Sequence, residues 1–284
     1  MSAIISARQL SKSYGKKPIL NNLNFEIEGG RIVGMVGPNG SGKTTILKTI
    51  LGLAPFSGQL SVLGFDPATQ RDALMNEVCF VADVAVLPRW LKVREALDFV
   101  EGVHPRFNRA KAERYIAETK LTMSMRVKEM SKGMLAQLHL ALVMAIDAKL
   151  LVLDEPTLGL DILYRKMFYQ NLLEDYFDEN KTIIITTHQI EEVENILSDV
   201  IFVREGQIVL HDTMEKIQDR FTAVLVNAEN VPAAQTLAPI DQRKVFEKQA
   251  MLFDGVSRHQ LAQLGELQTP DLADIFVAMM KGSY

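Results

Sequence analysis

Short apolar runs alternate with amphipathic segments along most of the chain. Apolar residues at helical spacing follow the runs, and polar or glycine-rich turns separate the two kinds of segment. Strands that are apolar on both faces and alternate with helices are typical of a parallel sheet covered by helices. We therefore predict an α/β fold with a mostly parallel sheet core. Its strands are expected at 32–36, 78–82, 150–153 and 182–187, and two of its helices at 162–176 and 189–197.

Three regions depart from this alternation. Residues 3–28 have the pattern of two antiparallel strands joined by a turn, which predicts an N-terminal antiparallel β subdomain. Residues 84–146 are mostly helical and lie between two predicted strands, as an inserted helical subdomain would. Short strand patterns and a closing helix at 270–280 predict a small C-terminal α+β extension. We therefore expect one large α/β domain over 1–212 and an accessory extension over 213–284.

The bulk composition narrows the class of protein. Of the 284 residues, 48% are hydrophobic and 23% are charged, which is ordinary for a globular domain. The formal net charge of −4 leaves no basic footprint, so no nucleic-acid partner is expected. The longest apolar run, 140–146, is far shorter than the roughly 18 residues that span a bilayer, and the N-terminus lacks a signal-peptide pattern. Cys79 is the only cysteine, so we expect no internal disulfide and a buried thiol.

One glycine-rich stretch carries the clearest chemistry. It stands between the predicted strand 32–36 and a helical pattern, the context that the phosphate-binding motif G-x-x-x-x-G-K-[ST] requires. Its glycines let the backbone approach an anion, and the amide groups that open the helix point toward it. Lys43 adds a charge near the outer phosphates, and the hydroxyl of Thr44 can ligate Mg²⁺. We predict a nucleoside triphosphate site formed by Gly37, Pro38, Asn39, Gly40, Ser41, Gly42, Lys43, Thr44 and Thr45.

Polar residues end two of the predicted strands, at the edge where an open α/β sheet binds its ligands. Asp154 and Glu155 follow the apolar run 150–153, and His188 follows the run 182–187. Asp154 is predicted to hold Mg²⁺, and Glu155 to accept a proton from a water molecule that attacks the γ-phosphate. The imidazole of His188 can orient that water. Taken alone, the acids could be a solvated strand end and the histidine a surface residue, but the phosphate loop favours the catalytic interpretation.

Together these residues resemble the nucleotide-binding subunit of an ABC (ATP-binding cassette) transporter, over about residues 4–212. The resemblance implies a P-loop NTPase of the ABC-ATPase fold that binds ATP and Mg²⁺, in the branch of single-cassette ABC-2-type exporters. It also implies that each ATP is held between the phosphate loop of one subunit and the signature motif of another. The corresponding motifs are Walker A at 37–45, Walker B at 150–155, the D-loop at 159–161, the switch histidine His188 and, as the aromatic ring that stacks on adenine, Tyr14.

Two motifs depart from the family pattern. The family signature Leu-Ser-Gly-Gly-Gln is replaced by Met-Ser-Lys-Gly-Met at 130–134. Ser131 and Gly133 are retained, and the resemblance implies that they cap the γ-phosphate of the nucleotide on the opposite subunit. Asp83 stands where the family has a Mg²⁺-contacting glutamine, and a carboxylate can ligate the ion but cannot donate a hydrogen bond. With these departures, two outcomes stay open: ATP hydrolysis at the full rate, and ATP hydrolysis that is weakened.

The resemblance implies an ATP-binding and ATP-hydrolysing subunit that dimerises around ATP to power a membrane export permease. Its partners are then transmembrane permease subunits and a second ABC ATPase subunit, identical or different. Its location is cytoplasmic, peripheral on the inner face of the cell membrane. The permease is expected at segment 84–91, where Trp90 is either an interface anchor or a core residue of the helical block. The alternative function is a catalytically weak or non-hydrolysing partner subunit in a heterodimeric transporter or regulatory complex.

Overall fold

The computed structural model describes residues 3–82 and 87–281 of the protein. Strands form three sheets, and helices cover the largest of them. The strands are β1 (Ala3–Tyr14), β2 (Lys17–Glu28), β3 (Ile32–Val36), β4 (Ser57–Val62), β5 (Val78–Val81), β6 (Leu150–Asp154), β7 (Thr182–Thr187), β8 (Asp199–Arg204), β9 (Gln207–Thr213), β10 (Phe221–Val226), β11 (Asp241–Val245), β12 (Lys248–Asp254) and β13 (Gly265–Gln268). The helices are α1 (Lys43–Ile50), α2 (Arg71–Met75), α3 (Val93–Val103), α4 (Arg109–Ala117), α5 (Lys132–Met144), α6 (Ile162–Asn171), α7 (Met214–Arg220), α8 (Val231–Gln235), α9 (Arg258–Leu261) and α10 (Leu272–Lys281).

The central sheet has the strand order β5-β6-β7-β3-β8-β9. All pairs from β5 to β8 are parallel, and β9 pairs antiparallel with β8. This arrangement confirms the predicted parallel core. Its strands coincide with the apolar runs of the sequence to within one residue at each end.

Side chains of the central sheet alternate between two apolar clusters. On β7, Ile183 and Ile185 pack into the cluster beneath α5 and α6, whereas Ile184 packs on the opposite face against α1. The same alternation holds for β3, β6 and β8. Because both faces are covered, the strands carry almost no polar residues before their carboxyl ends. Cys79 on β5 is buried as expected, and burial raises the pKa of its thiol to about 12.

The predicted N-terminal antiparallel subdomain is confirmed as a sheet of order β2-β1-β4. The buried residues Leu10, Phe25 and Ile27 belong to the same cluster as the α1 side of the central sheet. The sheet therefore lies over α1 and places the β1–β2 turn beside the loop that precedes that helix.

The inserted region is helical, as predicted. Helices α3, α4 and α5 pack through Val93, Leu97, Ile116 and Leu138 onto the α6 side of the central sheet. Trp90, just before α3, is 67% exposed, so the alternative of a core tryptophan is wrong. Asp83, the expected Mg²⁺ ligand, and residues 84–86 of the expected permease segment lie outside the described residues.

The C-terminal region contains a sheet of order β11-β12-β10-β13 with a small apolar cluster of its own. The expected closing helix is α10, which does not pack only within this region. Leu272, Ile275 and Ala278 of α10 are buried in the large cluster of the central sheet.

The helix predicted at 189–197 is wrong. This stretch forms two short 3₁₀ turns, Ile190–Glu192 and Glu194–Ile196. Its apolar residues Ile190, Val193 and Ile196 recur every three residues, and a 3₁₀ helix with three residues per turn places all of them on one side. The sequence pattern is compatible with either helix; in the 3₁₀ turns Ile190 and Val193 are buried and Ile196 is partly buried against the same cluster.

The helices in the described ranges 3–82 and 87–281 are all too short or too polar to cross a lipid bilayer.

Ile184 offers a test of the packing between β7 and α1, because its side chain is fully buried there. Ile184→Ala is expected to lower the free energy of unfolding by about 2–5 kcal/mol, since it leaves a cavity in a packed core. Ile184→Val removes one methylene group and is expected to cost about 0.5–1.5 kcal/mol. Denaturant unfolding followed by circular dichroism measures both. Equal midpoints for the alanine variant and the wild type would contradict this packing.

Candidate functional site

Two glycines allow the phosphate loop to turn from β3 into α1. A side chain at Gly37 would place its Cβ 2.3 Å from the Val203 carbonyl oxygen, so the close approach of loop and β8 requires glycine. Gly42 has a φ of 113° and precedes the first turn of α1, a conformation that residues with a Cβ rarely adopt. The loop thus presents the amide groups of the α1 N-terminus, where the helix dipole favours an anion.

Two side chains of the loop face inward. The Lys43 ammonium group donates hydrogen bonds to the carbonyl oxygens of Gly37, at 2.6 Å, and Pro38, at 3.3 Å. Burial lowers the pKa of Lys43, while the nearby carboxylates of Glu155 and Asp154 oppose that shift. The Ser41 hydroxyl is buried without a hydrogen-bond partner among the described residues. The loop therefore presents an ammonium group and a buried hydroxyl, both of which can bind phosphate oxygens.

A cleft of about 320 Å³ opens above the loop. It contains both the phosphate loop and the strand-end acids. Its lining consists of Lys17, Ile19, Asn39, Gly40, Ser41, Gly42, Lys43, Thr44, Thr45, Asp154 and Glu155.

Three oxygen-bearing side chains meet where β6 and β7 end. The Thr44 hydroxyl donates to Oδ2 of Asp154 at 3.1 Å, and the Thr186 hydroxyl donates to Oδ1 at 2.5 Å. Both oxygens of Asp154 are therefore held in place beside α1. Sequence reasoning missed Thr186, although a buried threonine at the end of an isoleucine run was a signal for a polar partner nearby.

Glu155 leaves β6 in an unusual backbone conformation. Its φ is 51°, in the left-handed region that a residue with a long side chain rarely adopts and that is common at functional sites. Its N–H group donates to the backbone oxygen and the hydroxyl of Thr186, at 3.2 and 3.1 Å. Its Oε2 lies 2.8 Å from Nδ1 of His188. Burial raises the pKa of Glu155, and His188 and Lys43 oppose that shift.

His188 is placed by the end of β7. The N–H group of Gln189 donates to the Thr187 hydroxyl at 2.9 Å, which turns the chain sharply after the strand. The histidine is about half exposed, whereas its partner Glu155 is largely buried. Expected catalytic residues Glu155 and His188 are thus brought together by two neighbouring strands.

Tyr14 is close to the cleft but does not line it. It ends β1 opposite Lys17, which is a lining residue, and its ring is 51% exposed. The Lys12 ammonium group lies 4.7 Å from the ring centroid, so one face of the ring is already in contact with a cation. The position at the rim is compatible with stacking on a base, and the stacking role stays a prediction.

The signature residues lie elsewhere on the chain. Ser131 caps α5 by accepting a hydrogen bond from the N–H group of Met134 at 3.2 Å. A Cβ at Gly133 would lie 3.6 Å from the carbonyl oxygen of Gly159, which belongs to the D-loop. Neither Ser131 nor Gly133 is among the described residues that line the cleft. One chain therefore places the signature beside its own D-loop and away from its own phosphate loop.

A second residue that sequence reasoning missed is Arg165 on α6. Its Nε donates to the carbonyl oxygen of Leu160 in the D-loop at 2.9 Å. Its Nη1 donates to the side chain of Gln189 at 2.5 Å and to the carboxylate of Glu192. The guanidinium group thus joins the D-loop to the turns that follow His188. No motif in the sequence indicated this contact, because its partners are distant along the chain.

The residues present fit a magnesium nucleotide. The glycine loop, the buried Ser41 hydroxyl and the Lys43 ammonium group suit phosphate oxygens. Thr44 and Asp154 present hard oxygen donors at adjoining positions, the chemistry that Mg²⁺ prefers. Over the described ranges, no group of three His, Cys, Asp or Glu side chains could hold a metal ion alone.

The fold and the cleft define a P-loop protein that binds a nucleoside triphosphate. The sequence model of a family described as "ABC transporter" matches residues 20–158, and curated relatives cover more of the chain. The chain belongs to the ATP-binding proteins of ABC transporters, a family of ATPases.

Three relatives illustrate the match. A Nod factor export ATP-binding protein I of Rhizobium meliloti (strain 1021) is 34% identical over 209 residues, which are 71% of this chain and 62% of the relative's length. The protein of the same name in Burkholderia orbicola (strain AU 1054) is 36% identical over 211 residues, or 72% of this chain and 69% of the relative. An uncharacterized ABC transporter ATP-binding protein, YdbJ, of Bacillus subtilis (strain 168) is 32% identical over 208 residues, or 72% and 68%.

Solved structures agree on the fold. The ATP-binding subunit of an ABC transporter superposes with a TM-score of 0.68 at 23% identity, covering 76% of this chain and 92% of that structure. A bacterial Atm1-family ABC exporter with ATP bound superposes with a TM-score of 0.67 at 18% identity, covering 76% of this chain and 40% of that structure. These likenesses confirm the predicted ABC-ATPase fold.

The Thr186 hydroxyl should be needed for nucleotide binding because it orients the Asp154 carboxylate. Thr186→Val is expected to weaken binding of ATP with Mg²⁺ by about tenfold, as loss of a group that orients a metal ligand does. Thr182→Val is the matched control: it removes a buried hydroxyl that accepts from Gly30 at the other end of β7. Fluorescent-nucleotide titration measures both. Equal weakening by the two variants would reject a specific role for Thr186.

Proposed function

We propose that the protein hydrolyses ATP to power a membrane export permease. One observation carries the proposal. Glu155, the candidate base, stands at the phosphate-loop cleft with Asp154 on one side and His188 on the other. Relatives named for Nod factor export support export as the direction of transport.

The chain's own residues suggest how hydrolysis is carried out. The loop amides and Lys43 bind the phosphates and balance their negative charge. The Glu155 carboxylate takes a proton from the attacking water, and His188 holds that carboxylate in position. The raised pKa of Glu155 makes it a stronger proton acceptor than an exposed glutamate. Thr44 and Asp154 would hold Mg²⁺, which neutralises charge on the phosphate oxygens when bound.

We further propose that two chains are needed to complete each ATP site. Ser131 and Gly133 lie apart from the cleft of their own chain, so they are available to the nucleotide on a partner. The exposed apolar side chains of Leu158, Ile162 and Leu163 beside the D-loop support an interface at this face. Identical and different partner cassettes both fit this arrangement.

The permease is proposed to dock near Trp90, which places the protein in the cytoplasm at the inner face of the membrane. Trp90 projects beside Arg89, Lys92, Arg126 and Lys128 around a cleft. An exposed tryptophan in a concave site is a common interface anchor. Asp83, which precedes this segment in the sequence, is likewise proposed as a Mg²⁺ ligand.

Glu155→Gln tests the hydrolysis step. The amide keeps the size of the side chain but cannot accept the proton, so turnover is expected to fall at least about a hundredfold while ATP binding persists. Glu229→Gln, an exposed site in the C-terminal region, is the matched control. Phosphate release is measured against protein concentration, and a faster than linear rise supports the two-chain site.

The same assay separates the alternative function. A wild-type chain that binds ATP but releases no phosphate, alone or with its permease, would favour a non-hydrolysing partner subunit. The observation that favours this alternative is the signature at 130–134, which departs from the family pattern.

Trp90→Ala tests the docking site. Removal of the ring is expected to reduce recovery of a membrane-spanning partner from detergent-solubilised membranes by about tenfold or more, as loss of an interface anchor does. Basal hydrolysis should not change, because Trp90 is not part of the nucleotide cleft. Phe99→Ala is the control, since Phe99 is 66% exposed on α3 and lies outside the cleft around Trp90. Full recovery with Trp90→Ala would place the permease elsewhere.

A further inference from the structure

The last helix of the C-terminal region packs against residues 3–212, which we call the ATPase core. Leu272, Ile275 and Ala278 on one face of α10 are buried in the cluster of the central sheet. The rings of Phe276 and Phe202 meet edge to face, with centroids 5.2 Å apart and an interplanar angle of 78°. The contact between Phe276 and Phe202 therefore joins α10 to β8.

The N-terminus of α10 is fastened to a different part of the ATPase core. Oε1 of Glu194 accepts a hydrogen bond from the N–H group of Leu272, the first residue of the helix, at 3.0 Å. Asp271 accepts from the N–H group of Asp274 at 2.6 Å. The amides that open a helix have no partner within it, so such contacts stabilise its start. One of the two comes from the C-terminal region itself and the other from the ATPase core.

Glu194 lies six residues after His188. The stretch between them is in contact with Arg165 on one side and with α10 on the other. Arg165 binds the side chains of Gln189 and Glu192 from the D-loop side. Ile190 and Val193 are buried, and α10 lies over the same turns. Only these two short 3₁₀ turns separate His188 from the hydrogen bond between Glu194 and α10.

We propose that Glu194 is a positioning residue that ties α10 to the turns after His188, so that the C-terminal region sets how His188 meets Glu155. This inference rests on the proposed ATP hydrolysis. Glu194 does not touch the cleft; it acts through the backbone that carries the histidine. The C-terminal region thereby supports catalysis without contributing a group to the ATP site.

Glu194→Ala and Glu194→Gln in the full chain test the proposal. The alanine variant loses the acceptor for the Leu272 amide, and its kcat for ATP is expected to fall about tenfold, within the range of coupling between distant sites. Its KM and its affinity for nucleotide should stay within about twofold of the wild type, because the phosphate loop is untouched. The glutamine variant keeps an accepting oxygen and should restore kcat.

Two further measurements distinguish positioning from general damage. Amide hydrogen exchange of residues 189–197 should accelerate in Glu194→Ala and not in Glu194→Gln. Val277→Ala is the control on the same helix, since Val277 is 42% exposed and faces away from the core; it should change neither kcat nor exchange. Should Glu194→Ala fail to fold, Phe276→Leu replaces it, because it weakens the contact of α10 with Phe202 and leaves Glu194 unchanged.

The outcomes separate this inference from the proposed function. Wild-type kcat in Glu194→Ala, or an equal loss in the glutamine variant, overturns the positioning role and leaves ATP hydrolysis standing. A change in KM without a change in kcat also overturns the positioning role. Absence of turnover in the wild type, with nucleotide bound, overturns the proposed hydrolysis and with it the role of Glu194. A tenfold loss of kcat that glutamine rescues supports both.

Discussion

The parallel register of β6, β7 and β3 is the constraint on which the whole site depends. Asp154 pairs with Thr186, and Val36 pairs with Thr187, so three strands end almost level with one another. Parallel pairing puts all carboxyl ends at one edge, and the polar residues that follow must emerge together there. The strands contribute Asp154 and Thr186 near their carboxyl ends, and they determine where the polar segments that carry Glu155 and His188 begin. A slip of one residue would turn Asp154 to the opposite face of the sheet and dismantle the cleft.

The buried strands also support a local conformation that would otherwise be unfavourable. The left-handed backbone conformation of Glu155 costs of order 1–3 kcal/mol. Such a conformation persists only where the surrounding structure fixes it. Here the surroundings are the hydrogen bonds of its N–H group to Thr186. Thr186 therefore has two functions: it orients the Asp154 carboxylate and it fixes the backbone of Glu155. The result is a carboxylate directed to His188, which follows the neighbouring strand β7.

Most of the fold could be predicted because it depends on local patterns. Apolar runs located the strands of the central sheet, and the glycine motif located the phosphate loop, since both signals are short and lie within a few residues. The tertiary contacts could not be predicted in this way. The 3₁₀ turns after His188 have a three-residue period that a helix also tolerates over so short a length. The roles of Thr186 and Arg165 depend on partners that only the folded chain brings near. The exposure of Trp90 likewise required the packed structure.

The packing of the protein does not stop at residue 212, where the sequence pattern changes. Surface ion pairs join β11 to α10, between Arg243 and Asp274 and between Lys281 and Asp241, and such pairs contribute about 0–1 kcal/mol each. Apolar contacts are much stronger, since burying one large side chain contributes about 1.5–3 kcal/mol. The large cluster of the central sheet includes Phe221 on β10, Leu252 on β12 and three residues of α10. The C-terminal region is therefore held by the ATPase core itself, and any influence on the ATP site must pass through packed side chains and not through free movement of a tethered module.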